Sequence, residues 1–141
     1  MWFSRRSQAL FWYHKAATLG VVKAAVIVAD AIREEEYEGS EQEMLAFYLA
    51  AVGKNDPRVT YIVSSFYKNG WKSIKADEAK ALYYLQKAAQ LGYPDAMFDL
   101  GIRYEKGLGV PSNSKTFLYW IRKAAEKGHE KALRYQEQFI Q

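Results

Sequence analysis

Residues 84–110, YLQKAAQLGYPDAMFDLGIRYEKGLGV, decide how the chain folds. Lys87, Ala88 and Ala89 lead to Gly92, and Ala96, Leu100, Gly101, Tyr104, Gly107 and Val110 follow. The apolar positions recur at helical spacing. The stretch therefore reads as the end of one helix, a tight turn at Gly92-Tyr93-Pro94, and a whole second helix over 94–106. The small residues let the two helices approach closely. The same pattern returns downstream at Lys123, Ala124, Ala125 and Gly128, and upstream at Lys15, Ala16, Ala17 and Gly20. A weaker copy, Leu49, Ala50, Ala51 and Gly53, lies between them. The glycines Gly20, Gly53, Gly92 and Gly128 stand 33, 39 and 36 residues apart. A period in this range marks stacked two-helix repeats.

Outward from that stretch, every segment takes the same helical period. A helix over 4–19 starts at Ser4, a residue whose hydroxyl can cap an N-terminus, and stops at Gly20. A second, 22–36, carries Ala24, Ala25, Ile27, Val28, Ala31 and Ile32. Ser40-Glu41-Gln42-Glu43 reads as a capping box for 41–52, which should bury Leu45, Tyr48, Leu49 and Val52. Pro57 suits the first turn of 57–68, where its missing N–H costs nothing. Asp77 caps 78–90, Asn113 caps 114–127, and a last helix spans 129–139. No segment alternates with period two. Helices this short are marginal alone, so their stability must come from stacking on one another.

Composition narrows the class. With 141 residues, half of them hydrophobic and 26% charged, the chain is long enough for one domain with a real core. It has no cysteine, which excludes disulfides and thiolate metal sites and leaves the redox compartment open. No apolar run reaches the ~18 residues of a membrane span. The opening MWFSRRSQALFWYHKAA makes a poor signal peptide, because Tyr13, His14 and Lys15 interrupt its apolar stretch. A cytoplasmic location is the simplest expectation. A chain from which a signal had been removed would read the same. The net charge is +4, yet residues 34–56 carry seven acids against Lys54 alone. The basic residues elsewhere are interleaved with acids at helical spacing, which describes a solvated face better than a nucleic-acid footprint.

The motif A-x-x-x-L-G-x-x-Y-x-x-G-x-G-V followed by a W-x-x-K-A-A-x-x-G half resembles the Sel-one-like repeats (SLR), relatives of the tetratricopeptide repeats. Residues 96–128 carry it best, with Ala96, Leu100, Gly101, Tyr104, Gly107, Gly109, Val110, Trp120, Lys123, Ala124, Ala125 and Gly128. Asn113 stands in the usual aspartate place, and Thr116 and Phe117 replace Lys-Ala. Residues 59–92 form a second copy in which Val59 and Ser64 replace the first-helix alanine and glycine. Residues 24–53 are a degenerate copy, 9–20 supply the second half of a repeat, and 129–141 supply a terminal capping helix. The resemblance implies an all-α fold, a right-handed α/α superhelix (solenoid) of about eight antiparallel helices. It implies a concave face used to hold another protein. The chain opens on a second-type helix without its partner, so the expectation is that either the protein continues upstream, or Trp2 and Phe3 and a second copy forming a homodimer cover that end.

Candidate chemistry is thin. Ser112-Asn113-Ser114-Lys115 matches the S-x-x-K of serine β-lactamases and penicillin-binding proteins, and cysteine-rich relatives of this repeat family have been connected with penicillin binding. Here Ser112 falls in the loop between helices, and no K-T-G triad accompanies it. The rival reading is a cell-wall or β-lactam-directed serine enzyme using Ser112 and Lys115. His14 and His129 stand alone, far apart in sequence and without metal-ligand spacing. Gly107-Leu108-Gly109 lacks the Lys-Ser/Thr end of a phosphate cradle. The aromatics Trp12, Tyr84 and Trp120 read as core by position. No cofactor, metal or catalytic set is expected.

In two-helix solenoids the first helix of each pair lines the concave face. Its outward positions here are Val26, Asp30 and Arg33, then Arg58, Tyr61, Ser65 and Lys68, then Asp95, Phe98, Ile102, Glu105 and Lys106, with Arg134 on the last helix. Apolar residues in such places suggest anchors. The expectation is therefore a protein or peptide held by Tyr61, Phe98 and Ile102, with Arg58, Lys68, Lys106 and Arg134 setting charge preference. Adaptor and toxin-neutralising immunity protein both fit that role.

Overall fold

A computed structural model describes residues 4–139, with nothing taken from the Phe139 side chain. Eight helices make up the described chain: α1 (Arg5–Thr18), α2 (Val22–Arg33), α3 (Glu41–Gly53), α4 (Pro57–Asn69), α5 (Glu78–Gln90), α6 (Pro94–Lys106), α7 (Ser114–Glu126) and α8 (Glu130–Phe139). The chain divides within α4 into two compact units, Met1–Val59 and Thr60–Gln141. The cover expected from Trp2 and Phe3 lies outside the described residues. Among the described residues no helix is long and apolar enough to cross a membrane.

In the first unit α2 packs between α1 and α3. Its buried residues are Ala24, Ala25, Val28, Ala29, Ala31 and Ile32, so small side chains bring its neighbours close. Ser4 caps α1 by accepting the Ser7 N–H at 3.1 Å. α2 ends at Arg33 rather than at residue 36. Glu34, Glu35 and Glu36 would place three carboxylates on the negative end of the helix dipole. The backbone instead turns over at Glu35 (φ 61°). Half of the expected capping box forms: Ser40 accepts the Glu43 N–H at 3.0 Å, but the Glu43 carboxylate turns to His14. The buried line of α3 is Met44, Tyr48, Ala51 and Val52. Leu45 and Leu49 sit one position off that line, so Leu49 is exposed and Leu45 half-buried, against expectation.

In the second unit α6 packs between α5 and α7, and α8 closes against α7. The core runs from Leu85, Ala88 and Ala89 through Ala96, Met97 and Leu100 to Ile121, Ala124, Ala125 and Ala132. A Cβ added to Gly101 would lie 3.1 Å from the Ile121 side chain, so the glycine sets how closely α6 and α7 nest. Asp77 and Asn113 cap α5 and α7 through the N–H groups of Lys80 and Thr116, both at 3.1 Å. Gly107 takes the left-handed conformation (φ 69°) that ends α6. Arg103 is buried, paired with Glu78, and donates to the Leu108 carbonyl at 3.2 Å. It thereby ties the loop after α6 to α5.

Of the three aromatics read as core, Tyr84 and Trp120 are half-buried but Trp12 is 66% exposed. The first helix that would cover Trp12 is absent from the described residues.

Candidate partner-binding site

The expected positions of the first unit converge on one carboxylate. Asp30 on α2 accepts the Tyr48 hydroxyl at 2.5 Å and the Arg58 guanidinium at 2.8 Å, and Arg33 stands 3.6 Å away. Burial, reinforced by the hydrogen bond to Asp30, pushes the Tyr48 hydroxyl well above the usual tyrosine range. Burial works against the Arg58 charge, but the Asp30 carboxylate outweighs it and holds the guanidinium above its ordinary range. Arg58, expected to set charge preference, has its charge answered by Asp30 within the unit while part of its side chain stays exposed. Val26 is half-buried on the same helix.

In the second unit α4 and α6 border an open cavity of about 610 Å³, whose walls include Tyr61, Ser65, Lys68, Ile102 and Arg103. A second hollow of about 550 Å³ continues toward α8, between Asp95, His129 and Lys131. Tyr61, Phe98 and Asp99 belong to both. The Tyr61 hydroxyl donates to Asp99 at 2.6 Å, and its ring leans on Tyr93 with centroids 5.1 Å apart. Burial and then Asp99 push that hydroxyl up as well. Tyr61 and Ile102 are half-buried, so each offers an apolar surface with one side free. Ser65 donates to the Tyr61 carbonyl within α4. Lys68 is exposed and, among the described residues, makes no ion pair.

Phe98 does not serve as the exposed anchor expected of it. It is 8% exposed, with its ring stacked on His129 at 4.8 Å and set edge-on to Tyr135 at 5.5 Å. Helix α8 covers it, and a sequence reading based on repeat position has no term for that. Glu105 and Lys106 are exposed on α6 but line neither cavity. Arg134 pairs with Glu130 one turn away at 3.7 Å.

The sequence reading also missed a pair. His129 Nε2 lies 3.0 Å from Asp95, and Nδ1 accepts the Ala132 N–H at 3.2 Å. By accepting that N–H on Nδ1, His129 acts as the N-cap of α8, with its Nε2 turned toward Asp95. The available signal was that His129 follows the repeat-closing Gly128 just as Tyr93 follows Gly92. His14 is likewise taken up, by Glu43 at 2.9 Å and the Tyr37 hydroxyl at 3.2 Å. Ser112, the rival nucleophile, donates to the Glu105 carbonyl at 3.3 Å, and Lys115 is exposed on the first turn of α7. The arrangement fixes the loop to α6.

The Sel1 repeat family model matches residues 6–21, 59–93 and 94–129, which together make up more than half of the chain. The chain belongs to the Sel1 repeat family. Solved structures agree on the fold. A Sel1 repeat protein from Oxalobacter formigenes superposes with a TM-score of 0.81 at 26% identity, over 92% of this chain and 39% of that one. A protective antigen of uropathogenic Escherichia coli displaying an SLR fold gives 0.76 at 26% identity, over 87% and 26%. Helicobacter pylori cysteine rich protein B gives 0.68 at 27% identity, over 89% and 90%. The fold is thus the all-α helical solenoid of these proteins. Among curated relatives, chitin synthase regulator SKT5 of Saccharomyces cerevisiae is 29% identical over 89% of this chain and 18% of its own length. Chitin synthase regulatory factor 4 of Schizosaccharomyces pombe is 28% identical over 63% and 13%. The chain spans less than a fifth of those two relatives. Sel1 repeats are generally protein-interaction modules.

Proposed function

We propose that this chain holds a protein or peptide against the α4–α6 face of its second unit, as an adaptor in a regulatory assembly. The observation that carries the reading is the half-buried pair Tyr61 and Ile102 at the wall of the 610 Å³ cavity, with Lys68 uncommitted beside it. Apolar side chains with one free face, rimmed by a charge, are what an interface centre requires. Ser65 adds a hydroxyl to that wall. The names of the chitin synthase regulators support a regulatory adaptor over a toxin-neutralising immunity protein.

The test is quantitative co-purification from the native cell with three forms of the tagged chain. Ile102→Glu puts a carboxylate in the hollow, and recovery of the partner should fall about 30-fold, the size of one interface hot spot. Lys106→Glu, on the same helix but outside the cavities, should leave recovery unchanged. Equal recovery with Ile102→Glu and an intact helical circular dichroism spectrum would reject this face.

A further inference from the structure

Two half-buried carboxylates of this chain accept a tyrosine hydroxyl at close range. Asp30 takes that of Tyr48 at 2.5 Å, and Asp99 takes that of Tyr61 at 2.6 Å. Their second oxygens differ. At Asp30, Oδ2 receives the Arg58 guanidinium at 2.8 Å, and Arg33 stands 3.6 Å from Oδ1. At Asp99 the tyrosine occupies Oδ2, and Oδ1 receives nothing from a described residue. That oxygen is not sealed off, since among the described residues no side-chain oxygen or nitrogen is fully buried without a partner. The first unit thus shows what completes such a carboxylate, and the second unit leaves the same place open.

Asp99 and Tyr61 line both hollows of the α4–α6 face, so the uncommitted oxygen borders open space. The cations around it are taken up or out of reach. Arg103 is paired with Glu78, and the Lys127 ammonium lies by Gly92, 3.9 Å from where its Cβ would be. Lys131 is exposed on the rim toward α8. Lys68 stands seven residues beyond Tyr61 on α4, about 10 Å along the helix, at the other end of the groove. The neighbouring acid Asp95 is turned to His129 at 3.0 Å. A half-buried carboxylate has lost part of its water, and a charged N–H donor answers it more strongly than a neutral one. Arginine suits the place better than lysine. Its planar fork can donate to Oδ1 while its face lies on an aromatic ring, and Tyr61 presents such a ring there.

We propose that the α4–α6 groove selects a partner segment carrying an arginine, whose guanidinium donates to Asp99 Oδ1 and lies against the Tyr61 ring, with an adjacent apolar residue meeting Ile102. The site rests on the α4–α6 face being the partner's seat and adds the side chain that this face reads. The partner's arginine would play at Asp99 the part that Arg58 plays at Asp30.

The probe is the peptide acetyl-Ala-Arg-Leu-Ala-amide, titrated into the isotopically labelled full chain and followed by the NMR shifts of the α4 and α6 amides. Saturable shifts are expected with a dissociation constant below about 10 mM. The same peptide with citrulline in place of arginine keeps the shape without the charge and should bind at least ~10-fold more weakly. Asp99→Asn keeps an oxygen for the Tyr61 hydroxyl, removes the charge, and should weaken the arginine peptide to the same extent. Glu105→Gln removes the same charge from the same helix outside both hollows and should change nothing. Circular dichroism checks the variants, and the citrulline comparison needs none. No saturable shift, equal binding of the citrulline peptide, or equal binding by Asp99→Asn overturns the proposal. If the arginine peptide fails while Ile102→Glu loses the partner in co-purification, the arginine site falls and the face stands. Full recovery with Ile102→Glu removes the face, and the arginine site with it.

Discussion

Ile121→Ala should lower the unfolding free energy by ~2–5 kcal/mol, the usual range for truncating a buried isoleucine to alanine. Ile121 is fully buried on α7, in the contact with Gly101 that sets the spacing of α6 and α7. Truncation removes the side chain but leaves both backbones held by their neighbours, since Leu100 and Ala124 pack in the same core. The space cannot collapse fully, so a cavity cost adds to the lost burial. Urea denaturation should show a lower midpoint with an unchanged slope. Leu108→Ala, at an exposed residue in the following loop, should shift stability by no more than ~0.5 kcal/mol. A small effect at Ile121 would mean that the nesting contributes little to stability.

Asp30→Ala should cost about 2–3 kcal/mol. The carboxylate accepts hydrogen bonds from a fully buried Tyr48 hydroxyl and from Arg58, and a bond to a charged acceptor is worth ~1.5–3 kcal/mol net, less where solvent competes for the donor. Tyr48 cannot turn to water, whereas the partly exposed Arg58 can, so most of the loss falls on the tyrosine. Tyr48→Phe removes one of the two bonds and should cost less than Asp30→Ala. If both replacements are neutral in denaturant titrations, the Asp30 network is surface decoration and does not hold α2, α3 and the start of α4 together.

The helices were legible because their signals are local. Period, caps and glycine stops each act within a turn, so Ser4, Asp77, Asn113 and Gly20 could be read directly. The close approach of α5 and α6 was legible too, since Ala88, Ala89 and Ala96 are small and share one buried core. Coverage by the next helix was not. Phe98 occupies an outward repeat position, yet α8 lies over it. Trp12 occupies an inward one, yet no described helix covers it. Ion partners were hidden for the same reason: Asp30 with Arg58, and Asp95 with His129, are separated by about one repeat in sequence. The early end of α2 could have been read from Glu34, Glu35 and Glu36, had the helix dipole been weighed against the apolar period.

The central claim is that the α4–α6 face grips another macromolecule. Photo-crosslinking in the native cell tests it most directly, with p-benzoylphenylalanine placed in turn at Ser65, at Ile102 and at the exposed Tyr83 of α5. The account predicts one discrete adduct, the same from Ser65 and Ile102, and none from Tyr83. An adduct from Tyr83 with none from the other two positions would contradict it.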